Sequence, residues 1–67
     1  MLRERFVIDV KEHKDFEEIE SYCNQSDVQI RRLDLSFCEV IATPKQIWEL
    51  MKFVKEKQDR DLIILMF

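Results

Sequence analysis

The sequence predicts an α+β fold, with four strands and two helices in the order βαββαβ. Three observations carry that prediction. Residues 6–10 place apolar side chains at every second position (Phe6, Ile8, Val10), the period of a half-buried strand. Residues 16–23 and 47–54 place them at every third or fourth position, the period of an amphipathic helix. Thr43-Pro44-Lys45-Gln46 then marks a helix start, with Thr43 as cap, Pro44 at the first helical position and Gln46 reaching back.

The elements follow in order. Leu2, Glu4, Phe6, Ile8 and Val10 alternate with Arg3, Arg5, Val7 and Asp9 in the first strand. Phe16, Ile19 and Cys23 stand at i, i+3 and i+7 on the first helix, with Tyr22 at the border of that stripe. Glu17 and Glu18 are expected in its first turn, where the helix dipole favours acids. Asn24 to Asp27 should end it, with Asn24 or Asp27 taking the left-handed conformation common after a helix. Residues 28–33 resume alternation, although Arg31-Arg32 breaks its phase, and residues 37–42 are rich in strand formers. Asp34 and Ser36 predict a hairpin near Leu33–Ser36.

The second helix buries Ile47, Leu50, Met51 and Val54, with Lys45–Glu49 and Glu56–Arg60 as supporting i, i+4 pairs. Leu62 to Phe67 is an uninterrupted apolar run and reads as the last strand. Right-handed crossovers give an antiparallel sheet of order 4-1-3-2, with both helices on one face of a single domain spanning residues 1–67. In that topology, and in no family motif, the chain resembles a ferredoxin-like sandwich over its whole length. The architecture implies little about activity, because it hosts many unrelated ones.

Composition narrows the function classes. With 67 residues and no glycine, the chain has neither a P-loop nor a dinucleotide-binding turn, both of which need close backbone approach to phosphate. The net charge of −3 gives the whole chain no electrostatic reason to bind nucleic acid. Charges are nevertheless segregated, acids over residues 11–20 and bases over 44–60, so helices packed side by side would attract. Solvated helix faces account for the same residues. Arg3, Glu4, Arg5 and Asp9 interrupt any apolar signal region, and Cys23 and Cys38 read as reduced core residues, so a cytoplasmic location is expected.

No catalytic, cofactor or metal site is expected. Copper chaperones of this architecture are similar to one another in a Cys-x-x-Cys after the first strand, whereas Lys11-Glu12-His13-Lys14 holds no cysteine here. Amino-acid-sensing domains of the same topology have a glycine-containing loop there, also missing. His13 has no evident nucleophile beside it, and a domain of this size offers little concave volume for a substrate. RNA-recognition motifs resemble this topology and stack bases on central-strand aromatics. The third strand lacks their basic-Gly-aromatic pattern, and Val7 stands where an aromatic would be needed.

The expectation is therefore a non-catalytic protein-interaction or regulatory module that homodimerises or docks on a protein partner. The expected interface comprises Val7, Phe37, Ile41, Trp48, Phe53, Ile63, Ile64, Leu65 and Phe67, on the open sheet face, the last strand and the rim of the second helix. The alternative is a small single-stranded nucleic-acid-binding domain using Arg3, Arg5, Arg31, Arg32 and Phe37. Neither a membrane nor a small-molecule substrate is indicated.

Overall fold

The period changes translate directly into elements. The computed structural model describes residues 2–66. It contains β1 (Glu4–Asp9), α1 (His13–Gln25), β2 (Gln29–Arg32), β3 (Phe37–Ala42), α2 (Pro44–Gln58) and β4 (Ile63–Met66). The sheet is antiparallel with order β2-β3-β1-β4, the expected 4-1-3-2 read from the other side. Both edges, β2 and β4, are therefore short strands.

The core lies between one face of the sheet and the two helices. Phe6, Ile8 and Val10 from β1 and its end, Cys38, Val40 and Ala42 from β3, and Leu62 before β4 form the sheet side. Phe16, Ile19 and Cys23 from α1 and Ile47, Leu50 and Val54 from α2 form the other. Among the described residues no polar or charged side chain is buried, so the core is held by apolar burial alone. Removing part of a fully buried side chain such as Leu50 leaves a cavity that costs about 2–5 kcal/mol.

Local chemistry fixes the element ends. Thr43 Oγ1 accepts from the Gln46 backbone N–H at 3.2 Å and Gln46 Oε1 accepts from the Thr43 N–H at 2.9 Å. This is the reciprocal cap expected, with Pro44 supplying the fixed φ of the first turn. In the β2–β3 hairpin, Asp34 Oδ1 accepts from the N–H groups of Ser36 (2.7 Å) and Phe37 (2.9 Å). A carboxylate thus does work that glycine often does in a tight loop. Asp27 (φ 58°) and Asp59 (φ 52°) take the left-handed conformation after α1 and α2, because aspartate is among the few non-glycine residues that visit it readily.

Three local expectations need correction, and the first is the Lys45–Glu49 pair, because among the described residues Lys45 enters no ion pair. α1 begins at His13, so Asp15 is the acid in its first turn and Glu17 and Glu18 lie further along. His13, Lys14 and Asp15 carry no apolar marker, and the hydrophobic stripe therefore starts later than the helix. Arg60 pairs not with Glu56 but with Asp15 of α1, Nε to Oδ2 at 3.3 Å. The left-handed turn at Asp59 carries the chain off the helix axis, and an i, i+4 pair needs a continuing helix.

That turn also ties the helices together. Gln58 Nε2 donates to the Asp15 carbonyl at 3.1 Å and to Glu18 Oε1 at 3.2 Å. Further along, Tyr22 and Phe53 stack with ring centroids 4.4 Å apart and planes at 17°. The end of α2 thus meets the start of α1, and the helices run antiparallel.

Replacing Thr43 by Ala removes one capping hydrogen bond and should cost about 1 kcal/mol, read as a lower urea midpoint at unchanged m-value. Leu50→Ala should cost several times more, a large share of the stability of a chain this short.

Candidate interaction surfaces

The sheet face away from the helices is built by the odd-numbered positions of β1, β2 and β3. Register sets Val7 opposite Glu39, Arg5 and Gln29 opposite Ile41, Asp9 opposite Phe37, and Arg31 opposite Glu39. The face is therefore not the continuous apolar patch expected. At its middle, Glu39 accepts a hydrogen bond from Arg5 Nε and lies 3.1 Å from Arg31 Nε. These three residues bridge β1, β3 and β2. The Arg5 hydrogen bond, backed by the Arg31 charge, holds the Glu39 carboxyl below its ordinary range despite its partial burial.

The nine candidate interface residues divide accordingly. Val7 lies on the open face but is only 7% exposed, and Phe37 and Ile41 are half-buried beside the charged cluster. Ile64 pairs with Ile8 and packs, partly buried, against the core, so it belongs to the helix side of the sheet. Strand alternation leaves Ile63 (51% exposed) and Leu65 (50%) on the other side. Leu65 falls between the Ile8–Ile64 and Val7–Met66 pairs, at a bulge that adds one residue to β4. Phe53 is half-buried under Tyr22, whereas Trp48 is 67% exposed on α2. Phe67 lies outside the described residues.

Leu2, expected on the apolar side of the first strand, is 88% exposed, and two further leucines are exposed as well. Leu33 and Leu35 sit in the hairpin loop, Leu35 88% exposed. Their signal was there, apolar residues on either side of the turn former Asp34, but a turn pattern does not say which way its neighbours point.

The two edges differ in protection. β2 carries Arg31 exposed and Arg32 half-exposed, charges that discourage pairing with another strand. β4, Ile63-Ile64-Leu65-Met66, has neither a charge nor a proline. Long apolar edges of that kind are the ones that pair; this one is short but unguarded.

The arginines proposed for phosphate contact are all engaged within the chain. Arg3 meets Asp27 at 3.4 Å, and Arg5 and Arg31 share Glu39. Arg32 donates to Cys38 Sγ at 3.1 Å and to the Leu35 carbonyl, and lies 4.8 Å over the Phe16 ring. A phosphate would have to compete with each of these contacts.

The thiols and the imidazole do not come together. Cys23 and Cys38 are fully buried in the core, whereas His13 is exposed at the start of α1 and pairs with Glu17 at 3.3 Å. Among the described residues no group of three metal-ligating side chains forms. Cys23 borders a depression of about 450 Å³ between the end of α1 and β2. Burial, with the Cys38 and Glu20 charges behind it, pushes its thiol up to about 12, and burial raises Cys38 as well. Thiols so poorly ionised at neutral pH are weak nucleophiles.

Comparison with known proteins gives no relative: no family model, curated protein or solved structure matches the chain. Among the described residues, no helix is long and apolar enough to cross a membrane.

The Glu39 cluster predicts a pH dependence of known sign. A carboxyl whose pKa is lower in the folded than in the unfolded chain stabilises the fold above the unfolded value. That contribution fades as pH falls from the ordinary 4.5 towards the lowered one. The stability difference between wild type and Glu39→Gln should be full at neutral pH and shrink in acid, measured by urea denaturation across that range.

Proposed function

We propose that the protein is a non-catalytic interaction module that assembles through the β4 edge, with a second copy of itself as partner. The observation that carries this reading is the inequality of the two sheet edges. The β2 edge bears two arginines, and the β4 edge bears half-exposed Ile63 and Leu65 with no charge to deter pairing. Antiparallel pairing of two β4 strands about a two-fold axis is self-complementary and closes on itself, as dimer interfaces commonly do. It would join two four-stranded sheets into one of eight and cover the apolar side chains at both edges.

On strand order and the single helix layer, we read the sandwich as ferredoxin-like. That architecture assigns no activity of its own. A regulator or inhibitor that works by occluding a surface fits a chain of this size, and the buried, poorly ionised thiols supply no nucleophile for an alternative chemistry.

Sedimentation over a range of concentrations tests the dimer. Wild type should sediment as a dimer at micromolar concentration, and Ile63→Lys with Leu65→Lys as a monomer with unchanged circular dichroism. Both side chains are exposed, so their replacement should leave the core intact. A wild type that stays monomeric at high micromolar concentration would overturn the proposal.

A further inference from the structure

The outer side of α2 combines three features that the β4 edge does not involve. The first is Trp48, exposed although tryptophan is one of the side chains most favoured by burial and by interfaces. Shallow grooves flank it. One, of about 530 Å³, lies on the outer face of α2 and reaches α1 only at Tyr22, beside the Tyr22–Phe53 stack; the other, of about 650 Å³, lies beside Met51 and Lys55.

The second feature is local charge of the wrong sign for the chain. Four lysines against two glutamates leave α2 at +2, so the remaining residues of this −3 chain sum to −5. Among the described residues Lys45, Lys52 and Lys57 enter no ion pair, whereas all five arginines are engaged. The helix dipole favours Lys57 in the last turn, but Lys45 stands in the first turn, where the dipole opposes a cation. Helix stability therefore does not account for Lys45.

The third feature is interleaving. Glu49 and Glu56 alternate with Lys45 and Lys52 along the same exposed surface. A phosphate backbone or an anionic bilayer presents continuous negative charge and would be repelled at both glutamates. A folded partner segment with carboxylates at discrete positions would not.

We propose that the groove on the outer face of α2, bordered by Trp48 on one flank and by the Tyr22–Phe53 stack on the other, with Lys45 and Lys57 towards its two ends, is the docking site for an acidic amphipathic helix of another protein. Its apolar side chains rest on Trp48 and the Tyr22–Phe53 stack, and its carboxylates meet Lys45, Lys52 and Lys57, the helix-in-groove mode of recognition. Lys45 and Lys57 are twelve positions apart on α2, about 18 Å at the helical rise, room for roughly three turns of a docked helix. The negative remainder of the molecule, the acids of α1 included, repels an acidic segment, so the docked helix lies along α2 and not over α1.

Trp48 is the single tryptophan and reports on the site by its own emission. A display library of random peptides as long as α2, selected on the full chain, should enrich sequences with carboxylates and apolar residues along one helical face. Those peptides should shift Trp48 emission to the blue, bind more weakly as salt rises, and lose roughly tenfold or more in affinity to Trp48→Phe and to Lys45→Glu with Lys52→Glu. They should still bind the Leu65→Lys variant, which separates this site from the β4 edge. The proposal is overturned if no peptide enriches, or if the enriched peptides bind the Trp48 and lysine variants as tightly as wild type. It is also overturned if phosphatidylserine vesicles or an oligothymidylate at physiological salt move Trp48 emission more strongly than the peptides do.

Discussion

A chain of 67 residues has enough apolar side chains to cover one face of a four-stranded sheet, and that constraint governs the rest of the molecule. Both helices are spent on the same side, where Ile8, Ile19, Val40, Leu50 and Val54 are excluded from water. The other side must then be made stable in solvent without a second layer. It is, by placing Glu39 between Arg5 and Arg31 at its middle and confining the half-exposed apolar residues to the β4 edge and the hairpin. An antiparallel sheet tolerates such a wet face because its strands alternate.

The lack of glycine is met by aspartate. Asp27 and Asp59 take the two left-handed positions, and Asp34 folds the hairpin by accepting two backbone hydrogen bonds. Each site uses a short polar side chain that can bond to nearby backbone, the property that makes aspartate tolerable where a β-branched residue would clash. The turn at Asp59 has a wider consequence. By taking Arg60 off the helix axis it creates the contact with Asp15, so the opposite charge bias of the two helices is expressed through the end of α2.

Elements were legible in the sequence wherever one period dominated. Phe6-Ile8-Val10, Phe16-Ile19-Cys23, Ile47-Leu50-Val54 and the Thr43 cap each describe their own element, because local spacing and final burial agree there. The strand order followed from handedness. What could not be read depends on lateral register. Arg5, Arg31 and Glu39 are far apart in the chain, and only the pairing of β1 and β2 on either side of β3 brings them together. A two-residue slip in either pair would keep the same residues on each face yet part the arginine from Glu39, whereas a one-residue slip would carry the core residues into solvent. The placement of Ile64 depended on the same phase: alternation separated two sets of side chains without saying which set the helices cover.

The distribution of cations shows why the two classes of basic residue should not be pooled. Arginine's planar fork suits fixed contacts, and here every arginine is engaged, with carboxylates at Asp27, Glu39 and Asp15 or with Cys38, Leu35 and Phe16. Counting Arg3, Arg5, Arg31 and Arg32 as a basic patch leaves out the contacts that each already makes within the chain. Among the described residues Lys11, Lys14, Lys45, Lys52 and Lys57 enter no ion pair, and the last three stand on the helix that also exposes Trp48. Net charge alone therefore misdirects the search for a partner. The surface able to attract an acidic group is one whose cations have no partner within the chain, and α2 gathers three of them beside Trp48.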